Sequence, residues 1–157
     1  MHWNYYYHLI VEPDSWLYGR ISIPAIPPFD IMHIPALVVA FMMTFGGING
    51  LLDANRTMRN FGLPHHIASS HSAASVFRIS CARTTVIGLL LFYFYLSHQL
   101  AVVDTILTFT GAYCGLIDSN ILLMEENAGD AMFRLFGSWI VAAWGYYGLT
   151  TEQVRFI

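Results

Sequence analysis

Residues 73–96 read AASVFRISCARTTVIGLLLFYFYL. At ~1.5 Å per helical residue this stretch is long enough to cross the ~30 Å hydrocarbon core of a bilayer. It nevertheless carries Arg78 and Arg83. A charge at that depth costs at least ~2.5 kcal/mol without a partner, so such residues ordinarily face a bundle interior or a polar cavity and mark function.

The rest of the chain agrees with a membrane reading. Of 157 residues, 56% are hydrophobic and 11% charged, with nine tyrosines, eleven phenylalanines and no lysine, which is too apolar for a soluble domain of this length. The net charge of −3 is dispersed and no basic patch stands ready to neutralise phosphates, so nucleic acid is excluded as a partner. Cys81 and Cys114 sit inside apolar segments, where a small polarizable hydrophobe is the default role.

Hydropathy marks four spans, about Ile34–Leu52, Ala73–Leu96, Leu100–Met124 and Ala131–Leu149. Pro35 enters the first in its opening turn, where a missing N–H is harmless. Residues 56–72 form the one sizeable loop, while 97–99 and 125–130 are tight polar turns that force antiparallel neighbours. The aromatic, Pro-broken start, with Pro24, Pro27 and Pro28, has no signal-peptide pattern and suits the headgroup region. The expected fold is therefore all-α: an integral-membrane four-helix antiparallel bundle (34–150), with an irregular interfacial N-terminal arm (1–33) and a short C-terminal tail (151–157). Arg56, Arg59 and Arg134 share one side, and the positive-inside bias places both termini away from the cytosol.

Polar and small residues select the faces. Asp104, Thr108, Gly111, Gly115 and Asp118 follow at helical spacing in the third span, Arg134, Ser138, Val141, Gly145 and Gly148 in the fourth, and Gly46, Asn49, Gly50 and Asp53 in the first. Stripes of this kind are expected to look inward. Antiparallel threading then brings Asn49, Asp53, Arg78, Arg83, Asp118, Asn120 and Arg134 into one half of the bundle. There Arg83 and Asp118 form the deep pair, an arginine fork matched to a carboxylate. Such a pair can simply lock helix register. It can also head a pocket in which a lipophilic substrate lies among Phe92, Tyr93, Tyr113, Trp139 and Trp144, with Asp118 or Asp53 as acid or base and Arg78 and Arg83 holding a developing oxyanion. His65, His66 and His71 match no common zinc spacing, and no cofactor motif is present. His33 and His98 are placed at span ends, at the interface.

Several motifs carry a resemblance. Gly47–Leu52, Phe61-Gly62-Leu63-Pro64, Cys81-Ala82-Arg83 followed by Gly88-Leu89, Gly115-Leu116-Ile117-Asp118 and the glycine-spaced fourth span together resemble the small four-helix membrane family called domain of unknown function 4267, over about Ala36–Leu149. In broad architecture that family is DoxX-like. The resemblance aligns Arg83 and Asp118 with family positions, whereas Thr84 stands where the family has Asn or Asp and Arg134 where it has histidine. It implies, for some fungal members, tailoring roles in natural-product pathways, a guide by association.

The function expected is a cofactor-independent isomerase or cyclase acting on a polyketide- or terpenoid-like intermediate. Its catalytic group is Arg83, Asp118, Asp53, Arg78 and Arg134; Asn49, Tyr113, Asn120, Ser138, Trp139 and Phe92 contact substrate; no metal or cofactor is called for. Membrane lipids, a second copy and pathway enzymes are the further partners considered, and the endoplasmic reticulum is the default compartment. The alternative is a non-catalytic scaffold or lipid-binding subunit.

Overall fold

A computed structural model describes residues 29–151. Most of the expected N-terminal arm and the tail beyond Thr151 lie outside the described residues. Asp30 caps a short 3-10 turn over Ile31–His33, its Oδ1 accepting from Met32 N at 2.8 Å, and this turn runs directly into α1 (Ile34–Leu52). The segment read as a loop instead holds two short helices, α2 (Ala54–Phe61) and α3 (His65–Ala68). Asp53 caps α2 by accepting from Arg56 N at 3.0 Å, which fixes the bend after α1.

The long α4 (His71–Leu96) starts on Ser70, whose hydroxyl accepts from Ala73 N at 3.4 Å. After a turn at Ser97–Gln99 come α5 (Leu100–Phe109), a π turn over Thr110–Cys114, and α6 (Gly115–Met124), which together make one rod. Asn127 then caps α7 (Ala128–Tyr146). Among the described residues there is no strand.

Three helical segments are long and apolar enough to cross a membrane: Ile31–Leu52, His71–Leu96 and Leu100–Met124. The fourth expected span is not among them. Gly129, Asp130 and Arg134 occupy the first turns of the 19-residue α7, leaving too short an apolar run behind them. The outer faces suit hydrocarbon, with Phe41, Phe45, Ile79, Val86, Leu89, Phe133, Phe136 and Ile140 all exposed.

The helices pair as two hairpins whose contacts are set by small residues. On α1, Gly50 lies opposite Phe77 and Cys81, and Gly47 opposite Cys81 and Thr85; Gly88 of α4 returns the contact on Ala40 and Thr44. The buried stripe of α1 is thus Ala36, Ala40, Thr44, Gly47 and Gly50. Gly46 and Asn49, expected on the inward stripe, are exposed, and a Cβ on Gly46 would meet nothing within 4 Å. In the second hairpin Gly111 lies opposite Ser138 and Ala142, and Gly145 opposite Asp104 and Thr108. The π turn contains Gly111, one of these close crossings.

Near the α4–α5 turn the hairpins share one buried layer of Ala36, Ala40, Leu91, Tyr95, Val103 and Leu107. His33 is buried there, its Nδ1 3.1 Å from the Tyr95 hydroxyl and its ring edge-on to the tyrosine. His33 thus stands at the span end as expected, and its hydrogen bond joins the start of α1 to the end of α4. Farther from this layer, α1 and α4 do not pack closely on α6 or α7. The hairpins are joined again at the opposite end by the turn after α2.

Candidate functional site

That turn is Phe61-Gly62-Leu63-Pro64. Gly62 ends α2 in the left-handed region (φ 98°), its N–H returning to Arg59 O at 3.0 Å, and Leu63 N–H donates to Met58 O at 3.1 Å. Leu63 and Met58 meet in a small core with Ala54, Ala68, Ala74 and Phe77, and Pro64 prevents the helix from continuing. A left-handed helix cap with its hydrophobic contact is thus written in these four residues.

The turn is held by the second hairpin. Arg134 of α7 donates from Nη2 to Phe61 O at 3.1 Å, and its guanidinium carbon lies 3.7 Å from the centre of the Phe61 ring. Asn127 donates from Nδ2 to Gly62 O at 3.0 Å and to Asp130 Oδ2 at 2.8 Å. A Cβ on Gly62 would come within 2.6 Å of Asp130 Oδ2 and 2.9 Å of Asn127 Nδ2. Glycine is required here by backbone conformation and by close approach together.

Asp118 of α6 is half-buried and lies within the electric field of Arg134. The expected Arg83–Asp118 pair is not formed: Arg83 is exposed on α4 and has no hydrogen-bond or ion-pair partner among the described residues. Arg134, not Arg83, is the guanidinium near Asp118, because α7 packs along α6 whereas α4 does not.

The other expected site residues scatter for the same reason. Asp53 is spent on the α2 cap and is exposed; Arg78, Asn49, Asn120, Tyr113 and Trp139 are exposed; Phe92 is half-buried against the apolar layer. Ser138 is half-buried where Gly111 and Gly115 cross α7, its hydroxyl donating to Leu135 O at 3.0 Å. Of the expected catalytic set, only Asp118 and Arg134 come together.

Beside the docked turn runs an apolar groove of about 470 Å³, lined by Met58, Leu63 and Ile67 on one wall and Ala73, Val76 and Phe77 on the other, with Ser72 and Ser80 at its edge. Phe61 stands between it and Arg134. Its ring meets Phe77 edge-on at 6.3 Å and carries the Arg134 guanidinium. Among the described residues no three His, Cys, Asp or Glu side chains gather as a metal site would require, and Cys81 and Cys114 are free thiols.

Sequence reasoning missed Phe61, Asn127 and Asp130 as docking residues. Asn127 and Asp130 carried a usable signal, an N-cap spacing directly before an apolar helix. Their grip on Gly62 required the tertiary structure. Replacing Arg134 by alanine is expected to release the turn, costing about 2 kcal/mol from one charge-assisted hydrogen bond and one guanidinium–ring contact. Arg134→Lys should recover only part of this, because an ammonium lacks the planar fork. Limited proteolysis near Phe61–Pro64 would measure it, and wild-type resistance in Arg134→Ala would refute the docking role.

Two apolar hairpins, tied by a buried layer at one end and by an arginine-held turn at the other, define a small helical membrane protein. The chain belongs to the family described as domain of unknown function 4267, which it matches over residues 40–148, a stretch containing the docked turn, Arg83, Asp118 and Arg134. No curated protein and no solved structure matches it.

Proposed function

We propose that the protein binds a lipophilic small molecule from the membrane in the groove between α2–α3 and α4. The observation that carries this reading is the groove itself. Its ~470 Å³ falls in the range of sites for drug-sized ligands (roughly 300–1,000 Å³), and Met58, Leu63, Ile67, Val76 and Phe77 make its lining apolar. In a four-helix antiparallel transmembrane arrangement, with α7 as the fourth and most polar span, the groove opens sideways to lipid. The endoplasmic reticulum is the compartment that fits a protein of this kind.

One further observation favours catalysis over a purely binding or scaffolding role. Arg134 lies on the Phe61 ring and Asp118 lies within its electric field, so a substrate that displaces this ring would meet a guanidinium able to hold an enolate, with a carboxylate able to move a proton near it. This supports an isomerase or cyclase of natural-product type.

Both readings are tested by analysing organic extracts of the purified protein by mass spectrometry. Val76 and Ser80 are exposed, so tryptophan at either position fills the groove without disturbing a core. Val76→Trp should lose a compound that wild type retains; retention of the same compound would sink the groove reading. Asp118→Asn should keep the compound in an unconverted form. Identical compounds in wild type and folded Asp118→Asn would leave the scaffold or lipid-binding role in place of the enzyme.

A further inference from the structure

We infer that the molecule bound in this groove is an anionic amphiphile, a single carboxylate or phosphate on a hydrocarbon body, and that Arg83 receives the anion. The inference rests on the groove reading above and adds the sign and depth of the ligand's charge.

Position is the first argument. Arg83 stands about 18 Å from the start of α4 and about 20 Å from its end, so it lies near the middle of the bilayer. The helix surface around it is apolar and exposed, with Ile79 and Val86 one turn to either side. The nearer interface is more than two helical turns away, too far for the side chain to reach by snorkelling. A guanidinium at this depth is costly unless it meets an anion, and Arg83 meets none among the described residues.

Register is the second argument. Ser72, Val76, Ser80 and Arg83 follow at spacings of four, four and three, which is one stripe of a helix. The first three line the groove, and Arg83 stands on the same stripe one turn beyond the last of them, within side-chain reach of its deep end.

Charge is the third. α2, α3 and α4, the elements that build the groove, carry Arg56, Arg59, His65, His66, His71, Arg78 and Arg83, and their sequences contain no aspartate or glutamate. The nearest carboxylate in sequence, Asp53, is engaged by Arg56 N. Asp118 faces Arg134. A neutral lipophile would leave Arg83 stranded, whereas an anion whose apolar part fills the Met58–Phe77 walls satisfies both.

The test uses the full chain in phosphatidylcholine nanodiscs with cis-parinaric acid, a fluorescent fatty acid, and its uncharged methyl ester as probes. Wild type should bind the acid, and Arg83→Met should weaken it by about tenfold or more while leaving weak ester binding unchanged. Arg83→Lys should restore most of the affinity, which shows that positive charge is what matters. Helical content and a single elution peak establish that each variant is folded.

Equal binding of acid and ester by wild type overturns the inference, as does undiminished acid binding by Arg83→Met. If Arg83→Met instead changes oligomeric state and leaves acid binding intact, a carboxylate-bearing helix of a second protein covers Arg83 and the inference fails. Val76→Trp separates the two levels: acid binding unaffected by that variant refutes the groove itself, whereas loss in Val76→Trp without loss in Arg83→Met refutes only the anion. Competition by phosphatidylserine added to the nanodiscs supports a bilayer lipid as the source of the anion, and lack of competition supports a free acid.

Discussion

Replacing Gly111 by valine is expected to force the second hairpin apart and sharply lower the thermal stability of the protein in detergent. A Cβ at this position would lie 2.5 Å from Ser138 O and 2.6 Å from Ala142 N, both backbone atoms of α7. No rotamer change relieves a clash with backbone, so α7 has to move away. Gly115 and Gly145 approach α7 and α5 just as closely, so the whole helix pair loses contact when one crossing is forced apart. Overpacking of this kind ordinarily costs 1–3 kcal/mol, and a cost of about 3 kcal/mol or more is expected where only backbone can yield. Against a total stability of roughly 5–15 kcal/mol, this is a large loss.

The control is built into the chain. Gly137 and Gly46 have open space where a Cβ would stand, whereas a Cβ on Gly47 would lie 2.8 Å from Cys81 O. Gly137→Ala and Gly46→Ala should therefore leave thermal stability in detergent unchanged or slightly raised, and Gly47→Ala should lower it. Equal behaviour of Gly46→Ala and Gly47→Ala would contradict the packing described for α1.

The second large effect is expected at Asp104. This carboxylate is buried at 4% exposure, where Oδ1 accepts from Thr150 N at 3.3 Å and Oδ2 from Thr151 N at 3.0 Å and from the Thr151 hydroxyl. After α7 the chain reverses at Gly148 (φ 67°), with Leu149 N–H returning to Trp144 O at 3.2 Å. Asp104 then holds the two residues that follow. Asp104→Ala leaves these backbone donors without an acceptor beside a buried Thr150, and hydrogen bonds to a charged group are worth ~1.5–3 kcal/mol each. A loss of roughly 3–5 kcal/mol is expected, with Asp104→Asn losing about half because one acceptor oxygen survives. Thermal unfolding followed by size-exclusion chromatography measures both. An Asp104→Ala protein as stable as wild type would show that the C-terminal turn is held by something else.

Much of the fold was legible because it depends on local properties. The lengths of the apolar segments gave the long helices. The inward stripe of the third span survived as well, since Asp104, Gly111 and Gly115 are buried and Thr108 and Asp118 half-buried. The Phe61–Pro64 turn was recognisable as a motif, and its residues follow the chemistry of a glycine-capped helix end.

The first span shows why the remainder was not legible. A stripe of Gly46, Asn49, Gly50 and Asp53 is the inward face expected if polar residues in a membrane turn inward. Size decided instead: between helices in lipid little hydrophobic difference separates inside from outside, so the buried line is Ala36, Ala40, Thr44, Gly47 and Gly50. The same rule turned α4 so that Cys81, Thr85 and Gly88 meet α1 and Arg83 is left exposed.

Composition and helical period by themselves determined an all-α protein, its three membrane-length helices and the tight turns at 97–99 and 125–127, because these follow from side-chain hydrophobicity and local backbone preference. Which charges meet was decided only by the tertiary structure. Arg134 took both Phe61 and the neighbourhood of Asp118, Asp104 took the C-terminal turn, and Arg83 was left exposed on the outer face of α4. Partner choice among charges depends on distances of a few ångströms between separate helices, and those distances are set by the small residues at which the helices touch.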